Sequence, residues 1–458
     1  MIENKQKACI QTYGCQMNVY DSEMMGSLIK QMGYEIVDDY KENGVSLVIL
    51  NTCHIREKAA EKIYSELGRI KVESERKIQD NGEKMIVVMA GCVAQAEGNA
   101  VFSRAKNVDI VVGPESYHEL PKLIEKAKLG EKRLINIDFA PNEKFDKLPQ
   151  ELEKRTKSSA FITIQEGCDK FCSFCVVPYT RGAEFSRKVE DVLDEIKRNV
   201  DNGTKEIVLL GQNVNAYHGL DHKGLPWRLS DLIAKVADIS GLDRIRYTTS
   251  HPCDMTDDLV MMHGYEKKLM PLLNLPVQSG SDAILKKMNR RHSRLDYIDL
   301  MQKIKKIRSD IIYSSDFIVG FPGESEQDFE DTLDLIRQVK FEGQSFSFKY
   351  SPRPGTPAAE SKEQIPEEIK SARLAKLQNL LESQQHNFNQ TMLSMVIPVL
   401  FEDKLGRYEN QLVGRSEYMQ ITLVDLPNGA KREDFVSKIF PVKITRISTN
   451  SLFGELLI

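Results

Sequence analysis

Short apolar runs alternate with amphipathic stretches through the first 130 residues of the chain. The runs predict strands at 8–15, 47–53, 85–92 and 108–113. Between them, segments such as IREKAAEKIYSELGRIKVESE carry apolar residues at helical spacing. Alternating strands and helices are typical of a parallel sheet covered by helices on both faces. We therefore predict an α/β fold class and a first domain at 5–125.

A second series of strand and helix patterns follows a polar segment. Its six predicted strands are 160–168, 206–213, 244–252, 272–280, 311–323 and 344–357. Because a closed β/α barrel needs eight units, six predict a partial, TIM-like barrel at 158–387. The polar segment, with prolines at 141 and 149, predicts a linker at 126–157.

The pattern changes again after a helical stretch at 366–388. Short β-branched segments such as SMVIPVLFED and YMQITLVDL are separated by turn residues. This pattern predicts a small all-β barrel at 388–458.

The composition of the chain limits the roles that its eight cysteines can have. The 458 residues are 41% hydrophobic and 28% charged, no apolar run approaches the length of a membrane span, and the first residues lack the apolar core of a signal peptide. We therefore expect a cytoplasmic protein. Because disulfides are rare in that compartment, the cysteines are read as buried apolar residues, metal ligands or nucleophiles.

Three predicted strands of the first domain end on a cysteine: Cys15, Cys53 and Cys92. Ligands of open α/β sheets bind beyond the carboxyl ends of the strands, where such thiols would meet. A single cysteine there is more often an ordinary core residue. Three at matching positions favour a shared ligand, either a metal ion with an open position or an iron–sulfur cluster with one free iron.

A second trio follows the first strand of the second series: Cys168, Cys172 and Cys175, spaced C-x3-C-x2-C. Structural zinc is the alternative, but it usually needs four ligands, and only the distant Cys253 offers a fourth. With Phe174 at the aromatic position, the spacing resembles the motif of the radical S-adenosylmethionine (SAM) enzymes.

The resemblance extends over nearly the whole chain. TYGCQMNVYDSE, LNTCHIREKA, AGCVAQ, VVPYTRGAEFSR, LLGQNVNAY and LPVQSGSD resemble the radical SAM methylthiotransferase family. CQMNVYDS, NTCHIREKA and VVPYTRG resemble its MiaB-type, tRNA-modifying branch. The other branches act on threonylcarbamoyl-adenosine in tRNA or on a ribosomal-protein aspartate. The family has an N-terminal methylthiotransferase domain, a radical SAM core and a C-terminal TRAM domain.

The resemblance implies two [4Fe-4S] clusters and SAM. Cys168, Cys172 and Cys175 would hold the cluster that binds SAM, and Cys15, Cys53 and Cys92 an auxiliary cluster that delivers sulfur. A 5′-deoxyadenosyl radical would remove hydrogen from carbon 2 of isopentenyl-adenosine next to the anticodon, and a second SAM would supply the methyl group. Carbon 2 carries no acidic proton, so no side chain is expected as a catalytic acid or base.

Further cofactor contacts are expected at the strand ends of the barrel. The resemblance places SAM near Phe174, Gln212, Asn213, Ser250, Gln278, Ile318 and Gly320. Turn and cap chemistry is the alternative for the polar members of this set. Asp316 replaces the first glycine of the family motif around FIVGFPGE. His251 and His54 also lie beside strand ends, where a lone histidine is more often structural.

The charge of the chain gives little indication that it binds RNA. The net charge is −4, and the chain from Phe388 onward carries eight basic and eight acidic residues. The segment 284–308 has nine basic and two acidic residues, which favours phosphate contacts or simply a solvated helix face. The predicted RNA contacts are Arg181, Arg187, Lys286, Lys287, Arg290, Arg291 and Arg294.

The expected partners are tRNA carrying isopentenyl-adenosine and a low-potential electron donor of the flavodoxin or ferredoxin type, with the chain a monomer away from membranes. A noncatalytic, zinc-containing RNA-binding protein is the alternative from another class.

Overall fold

The computed structural model describes residues 6–53, 57–82, 84–139, 141–147 and 157–457. These residues form two compact units. The first comprises the described parts of Met1–Glu153 together with Glu166–Asp169 and Val176–Phe185. The second comprises the described parts of Lys154–Gln165 and Ser186–Ile458 together with Lys170–Cys175. The predicted domain boundaries at 125, 157 and 387 differ from these divisions and stay predictions.

The first unit is built on a parallel sheet of six strands. They are β1 (Lys7–Tyr13), β2 (Glu35–Val37), β3 (Val45–Thr52), β4 (Ile86–Gly91), β5 (Ile110–Val112) and β6 (Leu134–Asn136). Their order in the sheet is β2-β1-β3-β4-β5-β6. The central strand β4 is buried along its whole length, because helices cover both faces of the sheet.

Helices connect these strands. They are α1 (Gln16–Gln31), α2 (Glu57–Asn81), α3 (Cys92–Glu97), α4 (Ala100–Arg104), α5 (Leu120–Lys128), α6 (Pro141–Asp146) and α7 (Val177–Thr180). The four predicted strands of this unit are present. The edge strands β2 and β6 were not predicted, and β6 and α6 lie within the range 126–157 that was predicted as a linker.

The second unit begins as a partial barrel. Its strands are β7 (Ser159–Thr163), β10 (Glu206–Leu210), β11 (Arg244–Tyr247), β12 (Leu272–Asn274), β13 (Ile312–Ser314), β14 (Asp316–Val319) and β15 (Phe346–Lys349). Two short strands, β8 (Gln165–Glu166) and β9 (Phe185–Ser186), pair with each other. The pairs β7–β10, β10–β11, β12–β13 and β14–β15 are all parallel. The predicted strand at 311–323 is divided at Ser315 into two.

Helices pack around these strands, and isolated bridges join the separate ladders at Ile245–Leu269 and Gln278–Phe317. The helices are α8 (Val189–Asp201), α9 (Leu229–Ala237), α10 (Asp257–Tyr265), α11 (Asp282–Lys287), α12 (Arg294–Ile307), α13 (Glu326–Val339) and α14 (Glu367–Thr391). One continuous apolar core fills the space between strands and helices. The order of parallel strands along the chain confirms the predicted partial β/α barrel.

The C-terminal part of the second unit is a closed five-stranded barrel, as predicted. Its strands are β16 (Val396–Glu402), β17 (Gln411–Arg415), β18 (Ile421–Asp425), β19 (Ile439–Ile447) and β20 (Ser451–Leu456), in the order β16-β17-β18-β20-β19. Arg244, which is 2% exposed, donates to the carbonyls of Pro398 and Arg415 at 2.9 Å. These bonds fix the small barrel to β11.

Among the residues that the structure describes, none of the helices is both long enough and apolar enough to cross a membrane.

Candidate functional site

Strand register brings the cysteines of the first unit to one edge of its sheet. Tyr13 pairs with Thr52, and Thr52 pairs with Gly91. Cys53 and Cys92 directly follow β3 and β4, and Cys15 lies two residues after the end of β1. Cys15 and Cys53 share a side-chain hydrogen bond, and Arg181 bonds to Cys92 and acts electrostatically on Cys15. Cys15 therefore interacts with Cys53 through a hydrogen bond and with Cys92 through its charge, while the binding of one shared ligand by the three thiols stays a prediction.

Gly91 permits the close approach of these strand ends. Its φ is +88°, a conformation that favours glycine. A Cβ atom here would lie 2.5 Å from the backbone oxygen of Thr52. Any side chain at this position would therefore push apart the two strands that carry Cys53 and Cys92.

Two buried asparagines fix the loop that carries Cys15. Asn18 Nδ2 donates to Asn51 Oδ1 at 3.1 Å, and Asn51 Nδ2 donates to the Asn18 carbonyl at 2.8 Å. Asn18 Oδ1 accepts from the backbone N–H of Cys15 at 3.2 Å. This network joins the start of α1 to the end of β3, so two of the three thiols are held by one set of hydrogen bonds.

The thiols differ in acidity. The hydrogen bond from Cys53 lowers the pKa of Cys15 to about 6, and the charge of Arg181 acts in the same direction. Burial raises the pKa of Cys92, against the opposing effect of Arg181. Thiolates are the form that binds iron, so the arginine favours the ligand form of both cysteines.

Arg181 belongs to a buried network of charges. Its guanidinium donates to Asp21 at 2.6 Å and to Glu166 at 2.8 Å. Lys144, which is fully buried, contacts Glu166 at 2.6 Å and Asp21 at 3.5 Å. Burial and the charge of Glu166 raise the pKa of Glu115 well above its usual range. Arg181 and Lys144 are therefore two buried cations that both pair with the carboxylates of Asp21 and Glu166.

Replacing Arg181 with methionine is expected to destabilise the first unit by about 3–5 kcal/mol, because Asp21 and Glu166 then share one buried cation. Hydrogen exchange of the slowest amides in β3 and β4 of the cluster-free chain measures this change. Arg76→Met is the matched control: Arg76 forms exposed ion pairs on α2, and its loss is expected to leave the exchange of these amides nearly unchanged. Equal effects of the two substitutions would contradict a structural role of the network.

The loop Lys170–Cys175 of the second unit carries Cys172 and Cys175. The N–H of Cys175 donates to the carbonyl of Cys172 at 2.9 Å, which makes a tight turn. Ser173 Oγ donates to the Lys287 carbonyl at 2.8 Å, and Asn289 Nδ2 donates to the Phe171 carbonyl at 2.9 Å. The segment 287–290 therefore fixes the conformation of this loop.

Arg290 lies directly behind the loop. Its Nη1 is 3.6 Å from Cys172 Sγ, and its Nη2 donates to the Pro276 carbonyl. These two contacts place the guanidinium between the cysteine loop and the end of β12. Cys168 lies in the first unit, where its N–H donates to the Gly182 carbonyl at 3.3 Å.

Several predicted SAM contacts lie together in the second unit. Phe174 and Ile318 pack against one apolar cluster that includes Phe321 and Tyr350, and the rings of Phe174 and Phe321 meet edge to face at 6.5 Å. Gly320 N donates to Glu324 Oε2 at 2.7 Å. The aromatic residue of the cysteine motif and the FIVGFPGE segment are therefore neighbours.

Gln278 and Gln212 lie at strand ends. Gln278 has a φ of +75°, and its backbone N–H and carbonyl bond to Asp316 and Ile318 at 2.9 and 3.0 Å. The N–H of Gln212 donates to Gln165 Oε1 at 2.9 Å. These bonds define the backbone at two of the predicted SAM positions.

Two of the predicted SAM-binding residues have a buried polar atom whose hydrogen bonding is unsatisfied within the described part of the chain. Asn213 and Ser250 are 1% and 5% exposed. Among the described residues, Asn213 Oδ1 and Ser250 Oγ have no hydrogen-bond partner. Asn213 Nδ2 donates to Asp254, and Lys170 pairs with the same carboxylate at 2.7 Å. A buried acceptor and a buried hydroxyl left in this state suit a polar ligand.

The structure corrects three of the predicted RNA contacts. Arg181, Arg187 and Arg290 are 4%, 7% and 5% exposed. Arg187 pairs with Glu195 at 2.7 Å, while Arg181 and Arg290 have the partners given above. A guanidinium buried in this way is not available to a phosphate, so that prediction is wrong for these three.

The other four predicted contacts differ in their surroundings. Lys286 and Arg291 are exposed, and the exposed Lys287 pairs with Glu363 at 2.9 Å. Arg294 is half-buried and pairs with Asp334. Lys286, Lys287, Arg291 and Arg294 therefore keep the RNA role as a prediction. His54 lies outside the described residues.

Two parts of the chain match models of known protein families. Residues 162–336 match the family model of the radical SAM superfamily, and residues 7–113 match a second model described as uncharacterized protein family UPF0004. A solved structure of the radical SAM methyltransferase TsrM from Kitasatospora setae shares the fold, with a TM-score of 0.59 and 14% identity over 77% of this chain and 75% of that chain. Fold and cysteine motif together define a radical SAM enzyme.

Relatives that match nearly the whole chain show to which family of radical SAM enzymes it belongs. The chain is 56% identical over 451 residues to the tRNA-2-methylthio-N(6)-dimethylallyladenosine synthase of Rickettsia typhi, covering 98% of this chain and 99% of the relative. The Rickettsia prowazekii synthase matches with the same identity and coverage. The chain belongs to the tRNA-2-methylthio-N(6)-dimethylallyladenosine synthase family, which confirms the resemblance found in the sequence.

Proposed function

We propose that this chain is a tRNA methylthiotransferase that replaces the hydrogen on carbon 2 of isopentenyl-adenosine, next to the anticodon, with a methylthio group. Family membership over the whole chain carries this proposal. The convergence of Cys15, Cys53 and Cys92 supports it, because sulfur insertion needs a site besides the one that binds SAM.

As a radical SAM enzyme the chain uses a [4Fe-4S] cluster and SAM. Cys168, Cys172 and Cys175 are the proposed ligands, and Arg290 contacts the sulfur of Cys172 at 3.6 Å. The cluster and SAM, when bound, supply the radical that removes hydrogen from carbon 2.

The unpartnered atoms described above fit the amino acid part of SAM. Asn213 Oδ1 accepts from an ammonium, and Ser250 Oγ donates to a carboxylate. Phe174, Ile318 and Gly320 offer an apolar surface for the adenine ring. Gln212 and Gln278 complete the proposed set.

A second [4Fe-4S] cluster in the first unit is part of the proposal. Three thiolates leave one iron of such a cluster free for an exogenous sulfur. The positive charge of Arg181 acts on both Cys15 and Cys92. It therefore reduces the repulsion between anionic thiolates at this edge of the sheet. The buried network beneath it holds the arginine in place.

An assay with two substrates tests the proposal. Under anaerobic conditions, tRNA carrying isopentenyl-adenosine is expected to gain a methylthio group, measured by mass spectrometry of its nucleosides. Transfer RNA carrying threonylcarbamoyl-adenosine is the matched substrate and is expected to remain unchanged. Modification of only the second tRNA would overturn the choice of substrate while leaving the reaction class intact.

Phosphate contacts are proposed at Lys286, Lys287, Arg291 and Arg294. Replacing Lys286 and Arg291 together with alanine is expected to lower the slope of log affinity against log salt by about 2, or about 1 for each cation removed. Filter binding at several salt concentrations measures this slope. Lys235→Ala on α9, which removes one exposed cation elsewhere on the surface, is the control and should leave it unchanged. An unchanged slope in the double variant would exclude this surface from the RNA interface.

A low-potential donor of the flavodoxin or ferredoxin type, a monomeric state and a cytoplasmic location complete the proposal and stay predictions.

A further inference from the structure

Three metal-binding side chains meet outside the residues assigned above. His251, Cys253 and His292 each offer a ligand atom, and these atoms all lie within 4.8 Å of one another. His251 and Cys253 follow β11, and His292 lies in the turn between α11 and α12. The rings of the two histidines are 5.8 Å apart and nearly perpendicular.

The hydrogen bonding of His292 prepares it as a ligand. Its Nδ1 is 2.9 Å from the carbonyl of Arg290. A carbonyl only accepts, so Nδ1 carries the proton and the lone pair of Nε2 is bare. Nε2 is buried and has no hydrogen-bond partner among the described residues. Bracing of one ring nitrogen by a carbonyl is the usual second contact of a metal-binding histidine.

His251 is also incompletely satisfied. Its side chain is buried, with the residue 4% exposed, and its Nε2 has no hydrogen-bond partner among the described residues. Its Nδ1 accepts only a 3.2 Å bond from the backbone N–H of Cys253. Each of the two histidines therefore has a buried Nε2 atom without a hydrogen-bond partner among the described residues, which is costly unless something binds it.

Space is present for a metal and its open position. A cavity of about 210 Å³ is lined by Cys253 and His292, together with residues such as Asp296 and Tyr297, and His251 lies outside its lining. Cys253 is exposed and its thiol donates to the Arg291 carbonyl at 3.3 Å. In tetrahedral zinc sites the ligand atoms are about 3.5 Å apart, so side-chain movements of about 1 Å would close the set.

The nearby charges are compatible with a thiolate-bound cation. Lys170 is neutralised by Asp254 at 2.7 Å. The guanidinium of Arg290 is directed at Cys172 and Pro276. Arg291 is exposed, where solvent screens it.

We propose that His251, Cys253 and His292 form a zinc site with a fourth position open to the cavity. On binding, the Cys253 thiol forms a bond from sulfur to zinc and releases its proton to solvent. His292 contributes the lone pair of Nε2, and His251 contributes that of Nδ1, which gives up its 3.2 Å bond from the backbone N–H of Cys253. The ion joins the loop after β11 to the turn that carries Arg290, and so braces the arginine behind Cys172.

Zinc content of the cluster-loaded chain tests the proposal. Iron and sulfide are first reconstituted anaerobically so that the other cysteine sites are occupied, and zinc chloride is then added in equimolar amount. After desalting, elemental analysis is expected to give about one zinc per chain with iron unchanged. Cys253→Ser and His292→Ala are expected to lower zinc at least tenfold. His386→Ala, an exposed histidine on α14, should leave it unchanged.

Two further readouts separate a site from a loose association. Cobalt added in place of zinc should give the visible bands of tetrahedral coordination and a thiolate charge-transfer band that Cys253→Ser removes. Zinc should also slow tryptic cleavage after Arg291. A wild-type chain that binds no zinc, or binds it equally in all four proteins, would overturn the proposal and indicate that the histidines simply pair with each other.

Discussion

Replacing Cys168, Cys172 and Cys175 together with alanine is expected to abolish cleavage of SAM. These residues are the proposed ligands of the SAM-binding cluster, and without it no electron reaches the cofactor. The measurement is anaerobic incubation with SAM and dithionite, followed by chromatography of 5′-deoxyadenosine. Methylthiolation of tRNA is expected to fall with it, below detection.

Cys9→Ala is the matched control for this variant. Cys9 is a fully buried residue of β1 and its thiol lies 3.4 Å from the Asp38 carbonyl, so its loss removes a thiol but no proposed ligand. It should cleave SAM at the wild-type rate. Persistent 5′-deoxyadenosine formation in the triple variant would contradict the ligand assignment.

Replacing Cys15, Cys53 and Cys92 together with alanine is expected to have a different effect. Cleavage of SAM in the absence of tRNA should continue, because the SAM-binding residues are unchanged. Methylthiolation should be lost completely, since no cluster remains to carry the sulfur. Both products are measured in one reaction, so the ratio of methylthiolated nucleoside to 5′-deoxyadenosine reports the effect.

The same Cys9→Ala control applies here, because Cys9 lies in the strand that leads to Cys15. It tests whether loss of any thiol from this sheet impairs sulfur insertion. A triple variant that still methylthiolates tRNA would exclude the sulfur-donor role of the first unit.

Sequence periodicity predicted the strands that carry the cysteines, because long apolar runs in parallel strands are unambiguous. The register of β1, β3 and β4 then follows from the sheet, and the convergence of Cys15, Cys53 and Cys92 with it. The edge strands β2 and β6 were missed because their three residues are half-buried or exposed and form no apolar run, whereas the equally short β5 is fully buried.

The role of Arg181 could not be read from its neighbours in the chain. Its position just after the cysteine loop suggested contact with the phosphates of RNA. Its partner Asp21 lies 160 residues earlier, so the pair exists only once the fold is formed. Arg290 was misjudged for a similar reason: a basic segment on a helical pattern gives no sign that one arginine turns inward toward Cys172.

Only Arg181 had such a signal in the sequence, because it lies six residues after Cys175. Buried cations beside thiolates are a common means of stabilising anionic ligands. The sequence therefore predicted which cysteines form the candidate site. The charged residues that surround those cysteines could be identified only in the structure.

Iron content, measured with Mössbauer spectra of the anaerobically reconstituted chain, tests the central claim of two three-cysteine cluster sites most directly. The wild-type chain is expected to hold about eight irons as two [4Fe-4S] clusters, and each triple variant about four. A wild-type chain with about four irons, or a triple variant that retains all of them, would contradict the claim.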